Sequence, residues 1–504
     1  MNRIALGMVG SVLLLVVLLY SLGSNGQHGQ AGGDRSIAGA EPIKLYCAAS
    51  NRAVVEEIRQ AYEKETKRRV EIQYGPSQVL LSTLEVGQDG DLYLPADDGY
   101  IELARSENVV KESIPLAEMR IGLAVKKGNP KQVSNFADLL EQTLRVVQAD
   151  PEGAAVGKMT KKILQESGKW SQLHDATTAY RATVTDVAND IVIGAADVGI
   201  VYDAVLSTYP DLEFVQLPEF ESGVSKIVVG ITTFTKRPAA AFHFARYLAA
   251  RDRGQVQYEK LGFTPVNGDK WADLPELEIF FGSMLRPAVE QTVAEFQKRE
   301  GVNILTVYNG CGILVGQMNE QGSEPDAYFA CDVEFMNQVK EKFEVPETIS
   351  QNQLVIVVQE GNPHNITSLK DLTRPGLRVG IGHEKQCAMG WLTQLTLNEG
   401  GVQQEVMANV TVQSPTGDLL VNQMKAGSLD AAVVYLSNTV GSDDMLDAVA
   451  ITGLPCSQAS QPIAIRKGTP YSQLTARFLD EIRSAQSKER FLSSGFQWQV
   501  HDAQ

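Results

Sequence analysis

Cysteine is the first scarcity. Five cysteines, at 47, 311, 331, 387 and 456, are too few and odd in number for a disulfide framework. Signature motifs are missing as well. The chain has no GxxxxGK[ST] loop, no GxGxxG after a strand, no HExxH and no GxSxG. That removes the P-loop, dinucleotide, zincin and serine-hydrolase readings. No nucleophile–base pair is visible either, so an enzyme is the least favoured class. Positive charge is short: 45 Lys and Arg face 61 Asp and Glu, a net of −16. The balance disfavours nucleic acid and anionic lipid as partners of the body. It does not exclude a buried anion site, which depends on local dipoles and hydrogen bonds.

What is present is a chain of 504 residues, 43% hydrophobic and 21% charged, globular in make-up and too long for one ordinary domain. An apolar run from Ile4 to Leu22 follows Arg3. At about 1.5 Å per residue it nearly crosses a ~30 Å hydrocarbon layer, and the positive charge before it places the body outside. The expectation is an uncleaved anchor in the cytoplasmic membrane at 1–23 and an extracytoplasmic body. The alternative is a cleaved signal and secretion, with "AGA" at 38–40 as the candidate site. Residues 24–42, rich in Gly and small polar residues, read as a flexible tether.

The remainder repeats once. "LYCAASNRAVVEEIRQAYEKETKRRVEIQYGPS" is matched by "IFFGSMLRPAVEQTVAEFQKREGVNILTVYNGC". "DLYLPAD" pairs with "DAYFACD", "VKKGNP" with "VQEGNP", and "ADVGIVY" with "LDAAVVY", all at offsets of 233 to 235. Such a steady offset indicates tandem duplication of a unit, at 43–268 and again at 275–500. Within each unit short apolar strands alternate with amphipathic helices. Val54, Val55, Ile58 and Tyr62 recur at helical spacing between two strand patterns. The alternation predicts an α/β fold with an open, largely parallel sheet and ligands beyond the strand ends, at helix N-termini.

Ser50 and Ser283 stand where a strand gives way to a helix, and Ser77 stands at a second such place. Taken alone, Ser50 reads best as an ordinary N-cap. Taken together, two helix N-termini with hydroxyls could converge on one anion. Asp97 and Asp98 are adjacent on an extended segment and point apart, so they read as capping groups for the next helix, not as a carboxylate pair.

The first unit resembles the periplasmic molybdate-binding proteins of ABC importers. The marks are "AAS", "YGPS", "DLYLPADD", "ADPEGAAVGKMTKKIL", "DVGIVYDA" and "YEKLGF", in that order. The resemblance extends over both units. It implies two α/β lobes per unit, with a ligand cleft between them that closes on a tetrahedral oxyanion. It also implies an ABC permease as partner, no cofactor, and molybdate or tungstate as ligand. By resemblance the anion is held by hydroxyl and backbone N–H donors of Ser50, Ser77, Val156, Val184 and Tyr202. The sequence departs from the family pattern at "AAVG", where Val156 lies.

The second unit departs further. Its equivalent positions are Ser283, Cys311, Met389, Gly417 and Tyr435. Cys331 replaces an alanine, and the loop "GHEKQCAMG" carries His383 and Cys387. A thiol is a poorer donor and a softer ligand than a hydroxyl. Two readings follow: a soft-metal or thiophilic site built from Cys311, Cys331, Cys387 and His383, or small buried cysteines of which two form a disulfide. For the whole chain the reading is a membrane-tethered solute-binding protein. The rivals are an anchored oxyanion sensor and a thiol-based redox or metal-handling protein.

Overall fold

Apolar spacing in the sequence carries directly into local structure. In the computed structural model, which describes residues 41–500, β1 (Ile43–Ala48) leads into the helix Arg52–Thr66. That helix buries Val54, Val55, Ile58 and Tyr62 and ends at Lys67 in the left-handed conformation, φ 61°. β2 (Val70–Gly75) then pairs with β1 in parallel. The helix Ser77–Gly87, β3 (Leu92–Leu94) and the helix Gly99–Ser106 follow.

β4 (Val110–Lys126) is the long element that joins the two lobes. The first unit continues with β5 (Val146–Ala149), β6 (Thr177–Arg181), β7 (Val198–Tyr202), β8 (Leu212–Val215), β9 (Val224–Thr232) and β10 (Thr264–Pro265). The strand order is β2-β1-β3-β9-β4-β7-β5-β6. Residues Val110 to Arg120 of β4 lie beside β9 in one lobe, and Ile121 to Val125 lie beside β7 in the other. The chain therefore crosses between lobes at Arg120–Ile121 and returns just before Val224. The sequence alone suggests crossings near 123–130 and 228–234, and near 355–363 and 463–470. They lie a few residues earlier, because the first strand of each pair runs unbroken from one sheet into the other and the return strand begins after its crossing. The sheet is also mixed, not largely parallel: β1–β2, β1–β3, β5–β6 and β5–β7 are parallel, whereas β4 runs antiparallel to both neighbours.

The second unit repeats this plan with β11 (Glu276–Gly282), β12 (Asn303–Asn309), β13 (Ala327–Phe329), β14 (Glu347–Gln359), β15 (Val379–Gly382), β16 (Val410–Ser414), β17 (Ala431–Tyr435), β18 (Leu446–Ala450) and β19 (Gln458–Ile465). Its order is β12-β11-β13-β19-β14-β17-β15-β16. The chain is thus two tandem α/β modules of two lobes each. Buried apolar side chains form one cluster within 43–263 and another within 277–496.

Polar contacts fasten module to module. Glu300, fully buried at the end of the helix Arg286–Glu300, accepts two bonds from Arg477 at 2.8 and 3.1 Å. Arg246 of the first module reaches the same carboxylate at 3.3 Å. The Asp269 carboxylate accepts the N–H groups of Gln473 and Leu474, both at 2.8 Å, at the start of the helix Ser472–Ile482.

Among the described residues no helix is long and apolar enough to cross a membrane. The anchor expected at 1–23, and nearly all of the tether at 24–42, lie outside the described residues.

Candidate functional site

Several helices of the first module begin at one place. Ser77 opens the helix Ser77–Gly87. Val156 is the second residue of the helix Ala155–Glu166, and Val184 opens the helix Val184–Val192. Ser50 lies in the single turn Ala49–Asn51 that enters the helix Arg52–Thr66. Tyr202 ends β7. The first N–H groups of a helix have no intrahelical partner and carry the positive end of its dipole. Local sequence sets these starts. Thr183 caps its helix reciprocally with Asp186. Gly157 lets the helix Ala155–Glu166 press against the preceding loop, because a Cβ there would lie 2.3 Å from the Asp150 carbonyl.

All five residues expected from the sequence line a single cavity between the lobes. Its lining comes from both lobes, and no lining residue is charged. The space left for the centre of a guest atom is about 20 Å³. One water needs roughly 10–15 Å³ on that measure, so the closed cage admits one small guest.

The polar groups facing this space are mostly uncommitted. Ser50 and Tyr202 are buried, and neither hydroxyl has a hydrogen-bond partner. The N-cap role expected for Ser50 is not realised, since its side chain makes no capping bond. A buried hydroxyl without a partner costs free energy, about 1–3 kcal/mol by mutational measure. Two of them face this one cage. Burial, together with the charge of Asp97, holds the Tyr202 phenol well above its usual range. It is therefore a donor. Ser77 is anchored: its Oγ accepts the Ala96 N–H at 3.2 Å, and Tyr93 donates to its carbonyl at 2.9 Å.

Two features beside the cage go beyond what the sequence indicates. Lys158 of the second lobe donates to Gln78 of the first at 3.1 Å, with its ammonium 4.5 Å from the Tyr100 ring centroid. This clasp spans the cleft, and 80 positions separate its partners. Asp97 accepts the Gly99 N–H at 2.7 Å through one oxygen, while its other oxygen is buried without a partner. Burial pushes its carboxyl up to about 6, against the pull of that N–H. Asp98, the residue before the helix, makes no capping bond. Asp97, Tyr100, Lys158 and Lys162 line a larger hollow of about 530 Å³ next to the cage.

The second module places four of its counterparts alike, but its lobes touch. Ser283 stands at the place of Ala49, and Met284 at that of Ser50, because the strand registers are offset by one from the sequence match. Ser283 opens a single turn, Cys311 opens the helix Cys311–Glu320, and Met389 is second in the helix Ala388–Glu399. Gly417 opens the helix Gly417–Lys425, and Tyr435 ends β17 with a buried, unpartnered hydroxyl. Across the cleft, the Gly312 N–H donates to the Gln386 carbonyl at 3.1 Å. A Cβ on Gly417 would lie 2.3 Å from Asn438 Oδ1, so that side chain covers this helix start.

The soft-metal site expected at Cys311, Cys331, Cys387 and His383 does not form. Among the described residues no group of three or more His, Cys, Asp or Glu is placed to hold a metal ion. His383 turns its Nδ1 back on its own loop, accepting the Lys385 N–H at 3.3 Å. Cys387 precedes its helix and is pushed up to about 12 by burial.

Comparison with known proteins agrees with the duplication. The sequence model of the family described as bacterial extracellular solute-binding protein matches residues 43–264 and again 277–497. The molybdate-binding protein ModA of Mycobacterium bovis is 27% identical over 240 residues, 47% of this chain and 89% of that protein. An aconitate isomerase of a Pseudomonas species is 25% identical over 238 residues, 45% of this chain and 90% of that protein. Among solved structures, the periplasmic molybdate-binding protein of Azotobacter vinelandii is 18% identical with a TM-score of 0.39, covering 45% of this chain and 100% of its own.

Proposed function

The chain belongs to the bacterial extracellular solute-binding proteins, twice over, and from that premise we propose that its first module captures a tetrahedral oxyanion, molybdate or tungstate, for an ABC permease. The observation that carries this reading is the cage itself: buried, uncharged, small, and holding two hydroxyls without partners. The Mycobacterium relative named for molybdate binding supports the choice of anion.

In this reading the donors are the hydroxyls of Ser50, Ser77 and Tyr202 and the backbone N–H groups at Ser50, Ser77, Val156 and Val184. A dianion taken from water needs several bonds to offset its lost hydration, and bonds to a charged acceptor are the strong kind. Fixed neutral dipoles supply them without a counter-ion. They also select, since a ring of donors favours a fully deprotonated guest of the right radius. Lobe closure finishes the cage, because Ser50 and Ser77 lie on one lobe and Val156, Val184 and Tyr202 on the other. The Lys158–Gln78 clasp favours the closed form.

The body, taken as modules at 43–268 and 275–500, would work outside the cytoplasmic membrane, held there by the segment 1–23. Calorimetry of the purified protein against molybdate, tungstate, sulfate and phosphate tests the proposal. One site per chain for molybdate or tungstate is expected, weakened by roughly 1–3 kcal/mol in Ser77→Ala. Equal binding of all four anions, or unchanged affinity in that variant, would overturn it.

A further inference from the structure

Three replacements in the second cleft fit one another. The positions of Ala48, Ser77 and Ala96 in the first module are taken by Gly282, Cys311 and Cys331 in the second. Cys311 follows β12 and Cys331 follows β13, the two strands flanking β11, whose last residue is Gly282. Both sulfurs therefore sit over the end of β11. A Cβ at Gly282 would lie 2.1 Å from Cys331 Sγ and 3.0 Å from Cys311 Sγ. Larger side chains at two positions are thus accommodated by a smaller one at the third. The two sulfurs are 2.8 Å apart, well inside the roughly 3.5–4.0 Å at which non-bonded heavy atoms ordinarily pack.

We propose that Cys311 and Cys331 are a redox pair in the second cleft, cycling between two thiols and one disulfide by exchange with an external disulfide. This stands apart from the oxyanion reading of the first module. The family is extracellular, and disulfides persist in such compartments. Cys311 is the attacking thiol. Burial pushes it up, but the Cys331 thiol, the Tyr328 hydroxyl and the Cys331 N–H around its sulfur bring it below the usual value. Its thiolate attacks one sulfur of a disulfide RSSR, forming Cys311–S–SR and releasing RS⁻. Cys331 then gives up its proton and attacks Cys311 Sγ, forming the Cys311–Cys331 bond and releasing the second RS⁻. The protein loses two electrons and two protons, and RSSR becomes two RSH.

Access sets the timing. Cys311 is fully buried and Cys331 is 4% exposed, so RSSR reaches them only when the lobes part. The Gly312–Gln386 bond must then break. Cys47 is a built-in control: it is fully buried, makes no contact with another thiol, and burial raises it far above the usual range.

The test equilibrates the full chain in buffers of graded oxidised-to-reduced glutathione ratio, quenches with acid, alkylates in denaturant and maps peptides by mass spectrometry. Cys311 and Cys331 should lose alkylation together, appear as one linked peptide pair, and recover with dithiothreitol, while Cys47 stays alkylated throughout. Cys331→Ala, which restores the first module's residue, should leave Cys311 as a persistent mixed disulfide with glutathione. Two thiols that remain alkylated at the oxidising end, or a link from either to Cys387, would overturn the proposal. So would a Cys331→Ala protein whose Cys311 takes up no glutathione.

Discussion

Ser77 and Cys311 make the same hydrogen bond in their two modules: Ser77 Oγ accepts the Ala96 N–H at 3.2 Å, and Cys311 Sγ accepts the Cys331 N–H at 3.1 Å. Each is the first residue of its helix and buried. The duplicated scaffold therefore keeps this backbone contact while the side chain that makes it changes from oxygen to sulfur. A neutral oxygen cage stands in one copy and a sulfur pair in the other.

The unpartnered hydroxyls give a prediction with two opposite signs. Ser50→Ala and Tyr202→Phe should each weaken oxyanion binding by roughly 1–3 kcal/mol. The same changes should leave the unliganded protein as stable as before, or more so, because each removes a buried polar group that has no partner. Calorimetry and thermal melts without anion check both. A loss of apo stability equal to the loss of binding would make the hydroxyls structural.

Asp97 predicts a pH dependence. Its carboxyl is pushed up to about 6, chiefly by burial, with Asp98 adding to the rise and Lys158 and Lys162 opposing it. A dianion bound nearby raises it further, so binding takes up a proton. Affinity should therefore increase as pH falls through about 6 and level off once Asp97 is neutral. Asp97→Asn should flatten the profile at the tighter plateau, as read by calorimetry at a series of pH values.

Gly282 and Cys331 predict a compensating pair. Gly282→Ala alone puts a Cβ against Cys331 Sγ and should cost about 1–3 kcal/mol, the usual penalty of overpacking. Adding Cys331→Ala recreates the Ala48 and Ala96 pairing of the first module and should recover most of that loss. Denaturant unfolding of the two single variants and the double variant gives the coupling directly.

The duplication and the order of elements were legible because the offset is steady and the apolar spacing local. Ser77 was legible as a helix-start residue because strand ends and helix starts show in the pattern, whereas Tyr202 came only from the family resemblance. What escaped depends on distant neighbours. Whether the Ser50 hydroxyl caps a helix or faces a cavity is decided by the opposite lobe. Lys158 and Gln78 meet across the cleft from opposite lobes, 80 positions apart. Gly282 reads as an unremarkable strand-end glycine until Cys331 is brought against it. The crossing between lobes was misplaced because β4 continues through it without a turn.

Glu300 predicts how the modules are held together. Glu300→Ala leaves Arg246 and Arg477 buried without their carboxylate and should cost about 3–5 kcal/mol. The modules should then melt in two steps where the parent shows one transition by calorimetry. The two arginines hold the Glu300 carboxyl below its usual range, against a burial effect that acts the other way. Its stabilisation is therefore full above the ordinary glutamate pKa and lost as pH falls through the lower folded value.

Anomalous diffraction from crystals soaked in tungstate tests the neutral cage most directly. One strong peak between Ser50 Oγ, the Ser77 N–H and Tyr202 OH, with no Lys or Arg in contact, is the predicted result. A peak in the neighbouring hollow, held by Lys158 or Lys162, would contradict it.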